Sequence, residues 1–360
     1  MSCLGKILRL EIFGASHASS IGMSLEGINA GESIDLKELQ AFVDRRSAVN
    51  AIYSTARAEP DKIEILSGIE NGITNGKAIS ARILNVNQKS GDYDKLKSTP
   101  RPSHADYVAR IKYAGKEDIC GGGRFSGRMT APMCIAGGIA LQILAKSGVK
   151  LFAYISKIGK VEGASYKTKE VDENLAAKTM NSRFPLLDTS HEAAMLDEIA
   201  KAKNSGDSVG GVIECIAFNL PVGLGDAMFE GLESRLSYAL FGIPAVKGIE
   251  FGSGFSFAEM RGSTANDIFY YDKGIVKTLT NHNGGINGGI SNGMPLTFRV
   301  AFKPTPSIAM PQKTIDLTTN ELATIQIGGR HDACIVPRAV PVVEAVAALS
   351  LLDSLLEARP

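Results

Sequence analysis

Residues 132–146 read PMCIAGGIALQILAK, and almost every face of a helix built from them is apolar. A surface helix keeps one polar stripe, so this composition predicts a helix buried on all sides. Residues 339–358, AVPVVEAVAALSLLDSLLEA, have the same character, with Pro341 suited to a first turn. Two helices without a polar face need cover from more than one direction, and the remaining chain supplies it as strands. Leu8, Leu10 and Ile12 alternate with Arg9 and Glu11, the period of a half-buried strand, and a second strand runs near Met23 to Ile28. DKIEILSGIENG and KAISARILN, each followed by Gly/Asn turns, read as two more. Near the other end MPLTFRVAF is a further strand. IDLKELQAFVDRR has helical spacing and ends on Arg45 and Arg46, where cations suit a helix C-terminus. SIGMSLEGINAGESI followed by LKELQAFV, and SVGGVIECIAFNLPVGLG followed by FEGLESRLSYALFG, share the order strand, loop, helix, which is consistent with an internally duplicated half-domain.

Composition narrows the function. The 360 residues carry 39 Lys and Arg against 38 Asp and Glu, a net charge of +1, so no overall field favours nucleic acid or an anionic membrane. The cysteines are odd in number, 5, widely spaced and without a C-x-x-C, which fits a reduced cytoplasm better than a disulfide framework or a zinc knuckle. The first residues, MSCLGKILRLEIFG, lack the apolar segment of a signal peptide. The longest apolar run, near the C-terminus, is broken by Glu344 and Asp353 and reads as too short for a bilayer, so a soluble protein is expected.

Chemistry-bearing residues gather in loops. RPSHADY holds His104, the one nearby group that moves protons near neutral pH; GGGRFSGRMT places a triple glycine before Arg124 and Arg128. Glycines let backbone approach a bulky ligand, and arginine forks match phosphate or carboxylate. GASHA sets His17 just beyond a strand, KPTPS fixes Lys303 and its hydroxyl neighbours between prolines, and GRHDACIVPRAV puts Arg330, His331, Asp332 and Arg338 before the last helix. Singly each has a plainer explanation: a loop histidine is more often a satisfied hydrogen-bonding residue, paired arginines a solvated cap, and Asp332 a loop cap. G-x-x-x-x-G-K-[ST], G-x-S-x-G and H-E-x-x-H are absent, and the histidines lack metal-ligand spacing, so no metal is expected.

Jointly, GASHA, RPSHADY, GGGRFSGRMT, AVKGIEFG, NHNGGINGGIS, KPTPSI and GRHDACIVPRAVPVVEA stand in the order and at about the spacing found in chorismate synthases, from end to end of the chain. The resemblance implies an α+β fold, a β-α-β sandwich of antiparallel sheets around buried helices, as one domain over 1–360. It implies a lyase that converts 5-enolpyruvylshikimate 3-phosphate to chorismate by 1,4-elimination of phosphate, in the shikimate pathway of aromatic amino acid biosynthesis. The family's cofactor is reduced FMN, supplied here by an external reductase; NADP, a cytoplasmic location and a homotetramer belong to the same family expectation. Matched position by position, His17 resembles the acid that protonates the departing phosphate, His104 the histidine beside the reduced flavin, and Asp332 the carboxylate that takes part in removing the ring proton. Arg45, Arg46, Arg128 and Arg330 match substrate anchors. Flavin-contacting positions match Arg124, Phe125, Ser126, Ala245, Gly288, Lys303, Pro304, Thr305, Pro306, Ser307 and Arg330. Ala15 and Ala18 replace the carboxylate and second glycine of the usual GESHG, Phe125 and Met129 stand where Ser and Glu are common, and Pro244 replaces a frequent Asn. The alternative is a catalytically impaired flavin- or anion-binding paralogue.

Overall fold

The computed structural model describes residues 3–47, 53, 61–85, 98–116, 120–180, 182–328 and 332–358. The two apolar segments form helices Thr130–Lys146 and Val336–Glu357, which pack on one another at the centre. Gly137 makes that approach possible: a Cβ there would lie 2.3 Å from Ala345 Cα, so any side chain would force the helices apart. On one side Thr130–Lys146 lies against a five-stranded antiparallel sheet, ordered Cys3–Leu4, Arg9–Gly14, Ser20–Glu26, Ile79–Leu84, Glu64–Ser67. On the other, Val336–Glu357 covers a second antiparallel sheet, ordered Val246–Phe251, Leu296–Phe302, Gly211–Phe218, Lys150–Ile158, Val161–Glu162. One contiguous apolar core runs through both sheets and both helices. The architecture is the α+β sandwich that the resemblance implies, with the buried helices that the residue pattern predicts.

The repeated units have matching places. Ser20–Glu26 and Gly211–Phe218 are each the middle strand of their sheet. The helices that follow, Leu36–Asp44 and Leu232–Leu240, each pack on a central helix. Leu36–Asp44 starts where Asp35 accepts hydrogen bonds from Lys37 N and Glu38 N and buries Leu39, Phe42 and Val43.

The C-terminal run is longer than the expectation allowed. It forms a helix of 22 residues, long and apolar enough to cross a membrane by length and composition, as is Gly127–Lys146. Burial accounts for both: 89% and 72% of their apolar windows are enclosed by the protein, which is where core helices lie.

Candidate active site

The RPSHADY segment turns through Ser103, at φ +57°, into the short helix Asp106–Lys112. Its first residue, Asp106, is buried and receives Arg101 N at 3.0 Å and Arg101 Nε at 2.7 Å on one oxygen, and Arg101 Nη2 at 2.7 Å on the other. Burial pushes the Asp106 carboxyl up, but the Arg101 and His104 hydrogen bonds prevail and hold it well below the usual carboxylate range. Two groups meet His104 Nδ1, the ionised carboxylate at 2.6 Å and Arg101 Nη2 at 3.0 Å, and the shorter contact, to an acceptor-only carboxylate, favours the proton on that nitrogen. Nδ1–H therefore donates to Asp106, and Nε2 is left facing the triple glycine. Gly122, whose φ of +92° favours glycine, lies beside that ring: a Cβ there would stand 3.6 Å from Nε2, at ordinary contact distance. Arg101 Nη1 also donates to Ser307 Oγ at 3.0 Å, and Lys303 Nζ to Ser103 O at 2.6 Å, which joins KPTPS to the histidine loop. Burial, and then neighbouring Lys247, lowers the Lys303 ammonium from its ordinary value.

Further arginines line the same cavity as His104. The triple glycine lies within the first of two 3-10 turns, Cys120–Phe125 and Gly127–Met129, which lead into the central helix Thr130–Lys146. Arg128 is thereby held at a helix entrance, its backbone N donating to Ser126 Oγ at 3.2 Å. Arg128 Nη1 and Arg46 Nη1 grip the two oxygens of Asp61, which is buried. Burial pushes the Asp61 carboxyl up, but the Arg46 and Arg128 charges outweigh it and hold it below the usual range. Arg46 Nε donates to Thr130 Oγ1 at 2.9 Å, and Arg128 Nε to Asn85 Oδ1 at 3.1 Å. Arg338 donates through Nε to Arg46 O at 3.0 Å and through Nη1 to Asp332 Oδ2 at 2.5 Å. Burial lowers the Arg338 guanidinium from its ordinary value, with Asp332 opposing the shift.

Between these groups lies a cavity of about 500 Å³. Among the described residues it is lined by five cationic side chains, Arg46, Arg101, Arg128, Lys303 and Arg338, but only two carboxylates, Asp61 and Asp332. Ile243, Ala245, Phe302, Ile335 and Val342 add an apolar wall. A strongly anionic ligand with a flat apolar part suits this lining. Among the described residues, no group of His, Cys, Asp and Glu could hold a metal ion.

Most residues singled out from the sequence converge here. Arg46, His104, Phe125, Ser126, Arg128 and Ala245 line the cavity, and so do Lys303, Thr305, Pro306, Ser307 and Asp332. Pro304 is framed by lining residues without being one. His17 does not line it either, yet its loop touches the site: Ser16 N donates to Gly123 O at 3.3 Å, and Asn85 Nδ2 donates to Ala18 O at 2.7 Å and Ala15 O at 3.3 Å. Arg124 lies over the Tyr113 ring, 5.9 Å from its centroid. Gly288 turns the hairpin between Ile286–Asn287 and Ile290–Ser291, outside the cavity lining. Arg330 and its neighbour His331 lie outside the described residues.

Arg45 points elsewhere. It makes a bidentate pair with Glu344 of the central helix, Nη1 to Oε2 at 2.6 Å and Nη2 to Oε1 at 3.2 Å, and stays out of the cavity. The buried Glu344 carboxylate demands a cation, and Arg45 supplies it. Neither member of the Arg45–Arg46 pair is a solvated cap, and the Asp332 carboxylate pairs with Arg338. Sequence reasoning missed Asp61, Asn85, Asp106 and Thr130, and left Arg101 and Arg338 without roles. Only Asp106 carried a local signal, being two residues from His104.

The family model for chorismate synthase matches residues 8–356. The chain belongs to the chorismate synthase family. The chorismate synthase of Thermococcus gammatolerans is 45% identical over 355 residues, covering 99% of this chain and 98% of the relative. That of Dehalococcoides mccartyi strain 195 is 44% identical, covering 99% and 96%. A crystal structure of chorismate synthase superposes with a TM-score of 0.74 at 28% identity, over 98% of this chain and 92% of the other. The enzyme is a carbon–oxygen lyase of the shikimate pathway, serving aromatic amino acid biosynthesis: it eliminates phosphate from 5-enolpyruvylshikimate 3-phosphate to give chorismate. Nothing in the geometry favours an impaired paralogue: His104 and Asp332 both line the cavity.

Proposed function

We propose that the cavity holds 5-enolpyruvylshikimate 3-phosphate together with reduced FMN, and that His17, His104 and Asp332 carry the proton transfers. The observation that supports this most is the convergence of Arg46, His104, Arg128 and Asp332, from separate segments, on one cavity. Two details fit the ligands. The apolar wall around Ala245 and Phe302 suits a flat ring, and Arg128 Nη2 is buried without a hydrogen-bond partner among the described residues, as a donor awaiting an anion would be. Phe125, Ser126, Ala245 and the Lys303 to Ser307 loop would hold the flavin, with Arg124, Gly288 and Arg330 as further contacts. Reduced flavin supplies transient electron density to the allylic system, which no side chain offers.

The protein's own groups do the rest. Arg46, Arg128 and Arg330 fix the substrate's phosphate and carboxylates by charge-assisted pairs, so that the reacting bonds keep one orientation. Asp332 takes part in removing the ring proton; the electrons of that C–H bond form a new double bond to the neighbouring ring carbon, the existing ring double bond shifts by one position, the C–O bond to phosphate breaks, and His17 protonates the departing phosphate. His104, oriented by Asp106, presents Nε2 to the cavity and holds or moves a proton at the flavin. Arg45 has no part in this.

The chain works as one domain in the cytoplasm, as a homotetramer, with a separate reductase drawing on NADP to keep the flavin reduced. The exposed side chains of Met228, Phe229, Phe255, Phe269 and Tyr271 are available to a subunit interface. Anaerobic incubation with substrate and chemically reduced FMN tests the whole: chorismate and phosphate should appear together. Flavin binding without product, or phosphate release without flavin, rejects it. Light scattering of the purified protein tests the tetramer.

A further inference from the structure

We propose that Asp61 is a positioning residue of the elimination site: its carboxylate locks Arg46 and Arg128 into one fixed anion-binding pair and leaves Arg128 Nη2 for the substrate. This rests on the reading that these two arginines hold substrate anions. Each oxygen of Asp61 takes a different guanidinium, Oδ2 from Arg46 Nη1 and Oδ1 from Arg128 Nη1. A carboxylate present merely to neutralise charge needs no such division, whereas two oxygens shared between two forks define where both forks point. The other anchors agree. Arg46 Nε is held by Thr130 and Arg128 Nε by Asn85, while Gln40 Nε2 donates to Asp61 O at 3.0 Å and fixes the backbone that carries the carboxylate. What remains of Arg128 is Nη2, buried and unpartnered among the described residues, on a residue that lines the cavity.

Asp61 is also the middle of one hydrogen-bonded chain. Toward one end Arg128 orders Asn85, whose amide holds the carbonyls of Ala15 and Ala18 on either side of His17. Toward the other, the Arg46 carbonyl receives Arg338, which grips Asp332. The acid's loop and the base are thus set relative to each other through one buried carboxylate. Asp61 touches neither substrate nor cofactor in this scheme; it acts through the arginines.

The test compares Asp61→Asn and Asp61→Glu with wild type in anaerobic chorismate formation with reduced FMN, alongside the dissociation constant of 5-enolpyruvylshikimate 3-phosphate by calorimetry. Asp61→Asn should lose kcat by about 100-fold, the cost of roughly an ångström of misplacement. Its substrate dissociation constant should stay equal or tighten, because an anion beside the arginines has gone. Asp61→Glu restores the charge but moves both forks by a methylene, so it should regain stability, with a substrate dissociation constant near that of wild type, while kcat stays about tenfold or more below wild type. If Asp61→Glu turns over within twofold of wild type, Asp61 is only a counter-ion and the proposal is overturned. It is equally overturned if the loss lies in KM alone, or if both variants fail to fold. Wild-type turnover in the same series separates the two levels: no chorismate there rejects the underlying site assignment, not the role of Asp61.

Discussion

Replacing Asp106 by asparagine should disable His104 without touching it. The amide keeps the shape of the carboxylate but must turn an NH₂ toward donors, because Arg101 addresses both oxygens and His104 Nδ1 addresses one of them. With the amide nitrogen beside Nδ1, the ring proton shifts to Nε2 and the imidazole presents the wrong tautomer to the cavity. Loss of a positioned acid–base group lowers rates about 10²- to 10⁴-fold, roughly 3–5 kcal/mol in the barrier. Stability should fall as well: Arg101 is buried, and stripping a buried ion of its partner costs about 3–5 kcal/mol, or about 4–7 °C in Tm. The assay is anaerobic chorismate formation with reduced FMN, run on Asp106→Asn, His104→Ala and the double variant. If Asp106 works through His104, the double variant should be no slower than His104→Ala alone. A folded Asp106→Asn enzyme with kcat within twofold of wild type would refute the reasoning, and so would additive losses in the double variant.

Other expectations follow from the same contacts. Asp106 has a folded-state pKa depressed below its unfolded value, so its stabilisation is complete above about pH 4 and is lost as pH falls through the folded pKa; the Tm gap between wild type and Asp106→Asn should narrow on acidification and stay constant from pH 5 to 8. Arg45→Ala should cost about 3–5 kcal/mol in denaturant unfolding, since Glu344 loses its buried partner, yet leave KM for substrate within about twofold; a large rise in KM would return Arg45 to the substrate. Gly137→Ala should destabilise by about 1–3 kcal/mol or more through the clash with Ala345, and unchanged thermal unfolding would mean that the central helices can slide apart freely.

The central helices were legible because their signal is local: an apolar residue on every face of a 3.6-residue period has no stable place except between layers, whatever the rest of the chain does. The loops of the site were legible for a related reason, since glycines beside arginines and a proline-locked KPTPS are backbone requirements written in adjacent residues. Charge partners were not. Arg45 and Arg46 are neighbours at one helix end, but a residue in a helical backbone turns about 100° from the last, and the two guanidiniums meet counter-ions from opposite parts of the fold, Glu344 and Asp61. Arg128 meets Asp61 across 67 positions of sequence, and Asn85 across 43. Hydrophobic period and turn chemistry are decided within a few residues, so the chain alone determined the layers and the family motifs. The pairing of buried charges depends on which surfaces the folded layers bring within 3 Å, a long-range consequence of packing, and only the tertiary structure decided that Arg46 belongs to the cavity, Arg45 to the core, and Asp61 to the hinge between the two arginines.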